Sequence, residues 1–116
     1  MLEAVMKPED VIDQLRAFGL RLFIGEDGIV HGKFRQSGQH VTLEMRPVID
    51  QLQLMNNDVA DLLRREEEYV GMHAEQVISE IGPRVQSGEV ELVGKLIYHK
   101  GSALCDLIVR RKAAPA

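Results

Sequence analysis

The sequence predicts an α+β fold in which a helix, a β-hairpin and one or two helices are followed by a further helix and a C-terminal β-hairpin. Apolar residues recur at helical spacing within 8–18, 42–68 and 74–86. Short apolar runs interrupted by turn residues occupy 20–35 and 90–111, as in antiparallel hairpins. Because antiparallel edges can pair, the two hairpins could join into one four-stranded antiparallel sheet.

The first helix and hairpin have clear start and stop signals. Pro8 suits the first helical turn, and Gly19 is placed to end the helix in a left-handed conformation. Asp27-Gly28 is a strong turn signal between two alternating segments. We therefore expect a helix that begins at Pro8 and a hairpin over 20–35.

The central region, 42–68, carries one apolar stripe. Thr42 is placed to cap its N-terminus, Pro47 fits the first turns, and Asn56-Asn57 could divide it into two helices. One long helix and a broken pair both fit the pattern. The stripe either fills the core or pairs with a second copy in a homodimer. Its members are Val48, Leu52, Met55, Val59 and Leu62.

The C-terminal half repeats the order of helix and hairpin without repeating the residues. A helix is expected over 74–86, with a kink or early end at Gly82-Pro83. Strands are expected over 90–99 and 103–111. The preceding Glu66-Glu67-Glu68 run is interpreted as a solvated helix end. We treat 1–116 as a single domain, made of a segment over 8–65 and an extension over 70–112.

Composition limits the classes of function. The chain has 116 residues and a net charge of −4, with an acidic middle and a basic C-terminal segment. One cysteine cannot form an internal disulfide, and no apolar run reaches the ~20 residues of a membrane span. We expect a cytoplasmic protein without a membrane partner.

The sequence has no pattern typical of an enzyme. It has neither a phosphate-binding loop nor a dinucleotide fingerprint. Its four histidines and Cys105 have none of the paired spacings of zinc sites. We expect no enzymatic activity, no cofactor and no metal.

The outer face of the first hairpin is the leading candidate site. Strand alternation places basic side chains there beside apolar ones, on a chain that is otherwise acidic. Such a sheet edge can accept an extended acidic peptide by strand addition. The candidate partner-binding residues are Arg21, Phe23, His31, Lys33 and Arg35.

Two segments carry a resemblance to a known family. They are VIDQLRAFGLRLFIGEDGIVHGKF (11–34) and TLEMRPVIDQLQLMNNDVADLL (42–63). Residues 8–65 resemble the tubulysin-synthetase-type (TubC-like) N-terminal docking domain. The resemblance implies a small αββαα module, often dimeric, whose exposed hairpin captures a charged tail in bacterial assembly lines. It implicates the same five residues of the hairpin.

A second hypothesis comes from a different class of function. The chain could be a nucleic-acid-associated accessory protein of a phage, plasmid or mobile element. Its phosphate contacts would come from the C-terminal hairpin, and such binding would weaken steeply with salt. The residues concerned are Lys95, Lys100, Arg110, Arg111 and Lys112.

Overall fold

The computed structural model shows an α+β protein with two antiparallel sheets. It describes residues 6–112, and the side chain of Lys95 lies outside that description. The chain divides into two compact units, Met1–Arg64 (unit 1) and Arg65–Ala116 (unit 2).

The described part of unit 1, residues 6–64, contains three helices and one hairpin. Gly19 has a φ of +93° and donates its N–H to Arg16 C=O, so it ends the first helix as the sequence predicted. Gly28, with a φ of +78°, occupies the left-handed position of the hairpin turn. The elements are α1 (Pro8–Ala17), β1 (Leu20–Ile24), β2 (Val30–Phe34), α2 (Arg46–Leu54) and α3 (Asn56–Arg64).

The central region forms two helices that meet at Met55. The expectation that Thr42 caps the first of them is wrong, because α2 begins only at Arg46. Thr42 instead lies ahead of a turn in which its C=O accepts the Met45 N–H at 3.2 Å. Pro47 occupies the first helical turn, where its missing N–H breaks no helical bond.

The apolar stripe of the central region belongs to the core of unit 1. Val59 is fully buried, and Val48, Leu52 and Leu62 are between 5% and 7% exposed. Met55 packs against the same cluster while remaining partly exposed. Of the two interpretations of the stripe, only core packing holds, so the stripe does not offer a surface for a second copy.

Unit 2 contains a three-stranded antiparallel sheet in the order β3-β5-β4 and one helical segment. The two predicted hairpins therefore do not join into a four-stranded sheet; β3 pairs with β5 instead. Ile81, Val90, Leu107 and Val109 form its core. The elements are β3 (Glu66–His73), α4 (Ala74–Gln76), a π-helical turn (Val77–Ile81), α5 (Gly82–Gln86), β4 (Val90–Tyr98) and β5 (Leu104–Arg111).

The helical segment of unit 2 continues through Gly82-Pro83 rather than ending there. A proline inside a helix has no N–H to donate and clashes with the carbonyl four residues earlier. The π-helical turn immediately before it relieves this conflict: Gly82 N–H donates to Val77 C=O, five residues back. The predicted range of 74–86 is confirmed, and the irregularity takes the form of a π turn.

The acidic run is the clearest difference from the sequence expectation. Glu66, Glu67 and Glu68 do not end a helix; they begin β3. Glu66 Oε2 accepts from Arg110 Nη2 at 3.0 Å, across the sheet. Helix propensity amounts to less than ~1 kcal/mol per residue, so charge-assisted bonds in the folded unit outweigh it.

Candidate functional site

The first hairpin presents two different faces. Leu20, Leu22 and Val30 are buried on one face. On the other, the register pairs Arg21 with Lys33 and Phe23 with His31. All four of these side chains are exposed, and they define the outer face. The alternation predicted from the sequence is confirmed.

An aromatic pair lies at the centre of the outer face. The rings of Phe23 and His31 are stacked with their centroids 5.6 Å apart. Phe23 is 46% exposed and Ile29, in the adjoining turn, is 50% exposed. Large apolar side chains grouped on a surface often mark a contact site, so this pair offers a flat apolar platform.

Among the described residues, His31 has one acidic neighbour, and it lies in the turn beside this platform. Asp27 Oδ1 lies 3.5 Å from His31 Nε2. The same carboxylate accepts the Ile29 N–H at 3.0 Å, which lowers the pKa of Asp27, with a smaller contribution from His31. The negative charge is thus confined to the hairpin tip, and the basic residues lie toward the base.

The charges at the base of the hairpin are close together. Arg21 and Lys33 are directly opposite each other, and Arg35 follows β2 in an exposed position. Like charges placed opposite each other do not stabilise a strand pair. The arrangement therefore makes a positive surface that the stability of the hairpin does not explain.

The backbone hydrogen bonds identify which edge of β2 is open. Arg35 N–H donates to Gly19 C=O at 3.0 Å. Gly25 N–H donates to Ile29 C=O at 2.9 Å. Bonded pairs alternate along an antiparallel ladder, so every second residue of β2 directs its N–H and C=O away from β1. These outward residues are Val30, Gly32 and Phe34.

Asn56 closes the tip end of this edge. Its Oδ1 accepts the Val30 N–H at 2.8 Å, and its Nδ2 donates to Gly28 C=O at 3.1 Å. The side-chain amide thus takes the place that a neighbouring peptide group would occupy. Only Gly32 and Phe34 remain as outward-pointing residues without a hydrogen-bond partner on that side among residues 6–112. We call this pair the β2 edge.

The β2 edge is more accessible than the corresponding edge of β1. On β1 the same alternation turns the backbone of Leu20 and Leu22 outward, and both residues are less than 10% exposed. Gly32 is exposed and Phe34 is partly exposed. An added strand therefore meets the backbone more readily at β2.

A cleft of about 310 Å³ opens at the base of the hairpin. Phe18, Phe34 and Met45 supply its apolar walls. Its polar lining comes from the segment that links β2 to α2, and we call the whole the hairpin-base cleft. These polar residues are Gln39, His40, Thr42 and Glu44.

The basic side chains that the structure describes in the C-terminal hairpin have different surroundings. Arg110 is only 4% exposed and is held by Glu66, with Glu91 at 3.7 Å. Arg111 Nη1 lies 3.5 Å from Glu67. Exposed Lys100 and Lys112 lie beyond opposite ends of β5, a strand that spans roughly 23 Å at ~3.3 Å per residue. Lys95 lies outside the described side chains.

Unit 2 contains a charged network that the sequence did not reveal. Arg84 donates to both carboxylate oxygens of Glu67 at 2.9 and 2.8 Å, and it also bonds to Glu89. The two bonds from Arg84 to Glu67, with a further one from Tyr69 at 2.6 Å, lower the pKa of Glu67 to about 2. Because the Tyr69 hydroxyl donates this bond to the Glu67 carboxylate, the pKa of Tyr69 is raised. The network joins β3 to α5 and explains why the acidic run is strand.

Nothing in the described part of the chain forms a metal or membrane-spanning site. Residues 6–112 contain no group of three His, Cys, Asp or Glu side chains arranged to hold an ion. No helix in that range is both long and apolar enough to cross a membrane. Cys105 is buried, with Sγ 3.3 Å from Met72 C=O.

Comparison of the chain with protein-family models, with curated proteins and with solved structures gave no match. The resemblance to the TubC-like docking domain therefore stays a prediction carried by residues 8–65. The sequence pattern predicts the outer face but does not indicate the roles of Asn56, Gly32 and the cleft. Their roles depend on which backbone edge is open, and residue type alone does not reveal that.

Proposed function

We propose that this protein is a non-enzymatic docking module that captures an acidic linear segment of a protein partner on its first hairpin. The observation that carries the proposal is the accessible β2 edge, formed by Gly32 and Phe34, beside the basic side chains of Lys33 and Arg35. An added strand would form hydrogen bonds with the open backbone N–H and C=O groups of that edge. The cations would favour a partner segment of negative charge.

The same charges argue against a second copy of the chain as the occupant. Pairing two β2 edges would bring the Lys33 and Arg35 side chains of both copies close together. Like charges at an interface cost free energy and suppress such pairing. An acidic segment is instead attracted to Lys33 and Arg35. This agrees with the capture of a charged tail that the docking-domain resemblance implies.

The first test uses ligands selected by the protein itself. Random ten-residue peptides displayed on phage are selected against the whole chain, and the enriched peptide is synthesised with a fluorescent label. We expect acidic enriched sequences. Reversal of two charges by Lys33→Glu with Arg35→Glu should weaken binding at least about tenfold in fluorescence anisotropy.

The matched control reverses two exposed lysines in unit 2, Lys100→Glu with Lys112→Glu. It changes the net charge by the same amount and leaves the hairpin untouched, so peptide affinity should remain within about twofold. Enriched peptides without acidic residues, or equal loss of binding in both double variants, would contradict the proposal.

A second test addresses strand addition directly. Gly32→Pro removes the outward N–H without breaking a bond to β1, whereas Gly32→Ala keeps that N–H. A Cβ at this position lies 3.4 Å from a Leu20 methyl group, which is ordinary contact. We expect Gly32→Pro to weaken binding and Gly32→Ala to retain it. Hydrogen exchange of the Gly32 and Phe34 amides should slow when the peptide binds.

The nucleic-acid hypothesis receives no support from the placement of its residues, because Arg110 is buried in an ion pair. A gel-shift assay at low salt separates the two classes of function. Binding that survives the Lys33→Glu and Arg35→Glu reversal and weakens steeply with salt would favour nucleic acid over a peptide.

A further inference from the structure

We infer that the hairpin-base cleft is an anchor subsite that takes one large apolar side chain of the captured segment, and that acidic residues lie on both sides of this anchor. The inference rests on the proposed function and specifies the partner's sequence pattern. It follows from three features of unit 1: strand alternation, the position of the cleft and the plug formed by Asn56.

Strand alternation determines which partner residues meet the cleft. In paired strands, directly opposite residues share a face, and successive residues alternate between faces. A partner residue opposite Lys33 or Arg35 lies on the outer face, close to positive charge. The residue between them, opposite Phe34, lies on the other face. There Phe34 packs against the core and lines the cleft.

The lining of the cleft selects an apolar side chain. Its walls are the rings of Phe18 and Phe34 and the side chain of Met45. A volume of about 310 Å³ is at the small end of ligand pockets and has room for one large side chain. Glu44 in the polar lining repels a carboxylate, so acidic residues of the segment are directed to the outer face.

The segment beside the cleft carries exposed apolar residues that the fold leaves uncovered. Val41 is 46% exposed and Leu43 is 82% exposed, and they alternate with the lining residues His40, Thr42 and Glu44. A bound partner that reaches the cleft would cover part of this apolar surface. The segment therefore extends the binding surface beyond the end of β2.

Asn56 limits the stretch of β2 along which the captured segment can pair. Because its amide already holds Val30 N–H and Gly28 C=O, an added strand cannot pair beyond Gly32 toward the tip. Pairing must run from Gly32 toward the base of the hairpin. The partner residue opposite Phe34 is then always within the paired stretch, which places the anchor at the cleft.

The experiment compares two labelled ten-residue peptides that differ only in a central Glu-Phe-Glu or Glu-Ala-Glu. Binding to the whole chain is measured by fluorescence anisotropy. We expect the phenylalanine peptide to bind about tenfold more tightly, since burial of one large apolar side chain gives an effect of at least this size. Thr42→Trp fills the cleft and should lower the affinity for the phenylalanine peptide to that for the alanine peptide, which removes this difference.

The outcomes distinguish this inference from the proposed function. If neither peptide binds, the proposed function fails and the inference fails with it. If both bind equally to the native chain, capture stands and the anchor is wrong. A preference for phenylalanine that persists in Thr42→Trp places the anchor elsewhere and also overturns the inference. His40→Trp replaces Thr42→Trp if that variant does not fold.

Discussion

The two units use their cations in opposite ways. In unit 2, Arg84 and Arg110 are bound to carboxylates of β3, and the Arg110 side chain is only 5% exposed. In unit 1, Lys33 and Arg35 are exposed beside an open strand edge. Both units contain basic hairpins in sequence, but in unit 2 the hairpin arginines, Arg110 and Arg111, lie against carboxylates of β3. A basic segment indicates a binding surface only where the fold leaves its charge accessible.

The largest expected effect tests the matched charges of unit 2. Glu66→Ala leaves Arg110 buried without its closest carboxylate, at a site where Arg110 Nε already has no hydrogen-bond partner among residues 6–112. Breaking a buried ion pair from one side costs about 3–5 kcal/mol. We expect urea unfolding of unit 2 to shift accordingly. Both tyrosines, Tyr69 and Tyr98, lie in this unit, so tyrosine fluorescence reports on it alone.

Glu91→Ala is the matched control for that measurement. Glu91 also approaches Arg110, at 3.7 Å, but its side chain is 52% exposed. An exposed pair contributes about 0–1 kcal/mol, so this variant should lose much less stability. Equal losses in the two variants would mean that burial of the Arg110 pair does not distinguish unit 2 from unit 1.

The next effect concerns acid. The pKa of Glu67 is lowered from 4.5 to about 2, chiefly by the bonds from Arg84. A carboxyl group with a lowered folded-state pKa stabilises fully above its unfolded pKa and loses that contribution as the pH falls through the folded pKa. Unit 2 should therefore lose about 1–2 kcal/mol between pH 5 and pH 2, discounted because Glu67 is 23% exposed.

Glu67→Gln tests this origin of the acid sensitivity. The variant should be less stable than the native chain at pH 7 and should show a smaller loss between pH 5 and pH 2, measured by tyrosine fluorescence. Glu75→Gln removes an exposed carboxylate from the same unit and is the control. An acid loss that is undiminished in Glu67→Gln would assign the sensitivity to other carboxyl groups.

The parts of the fold that depend on local residue patterns can be predicted from the sequence. The Gly19 stop, the turn at Asp27-Gly28 and the two faces of the first hairpin follow from spacing and residue type. The strand at Glu66–His73 could not be predicted, because its glutamates are strand residues only through arginines that lie 17 to 44 positions away. The role of Asn56 could not be predicted for the same reason, since the residues that its side chain contacts lie 26 and 28 positions away.

The smallest expected effect tests whether the charge of Lys33 serves the fold at all. Lys33→Glu places a carboxylate directly opposite Arg21, and opposite charges in a cross-strand pair contribute about 0.2–1 kcal/mol. We therefore expect the hairpin to be slightly more stable, although the same substitution weakens peptide capture.

Hydrogen exchange of the His31 amide, which is directed toward β1, measures the stability of the hairpin. Arg35→Glu, opposite Gly19, is the control and should change it by less than about 0.5 kcal/mol. If Lys33→Glu instead destabilises the hairpin by more than about 1 kcal/mol, the charge of Lys33 stabilises the fold, as the charges of Arg84 and Arg110 do in unit 2. The contrast between the two units would then not hold for Lys33, the residue on which the proposed function depends most.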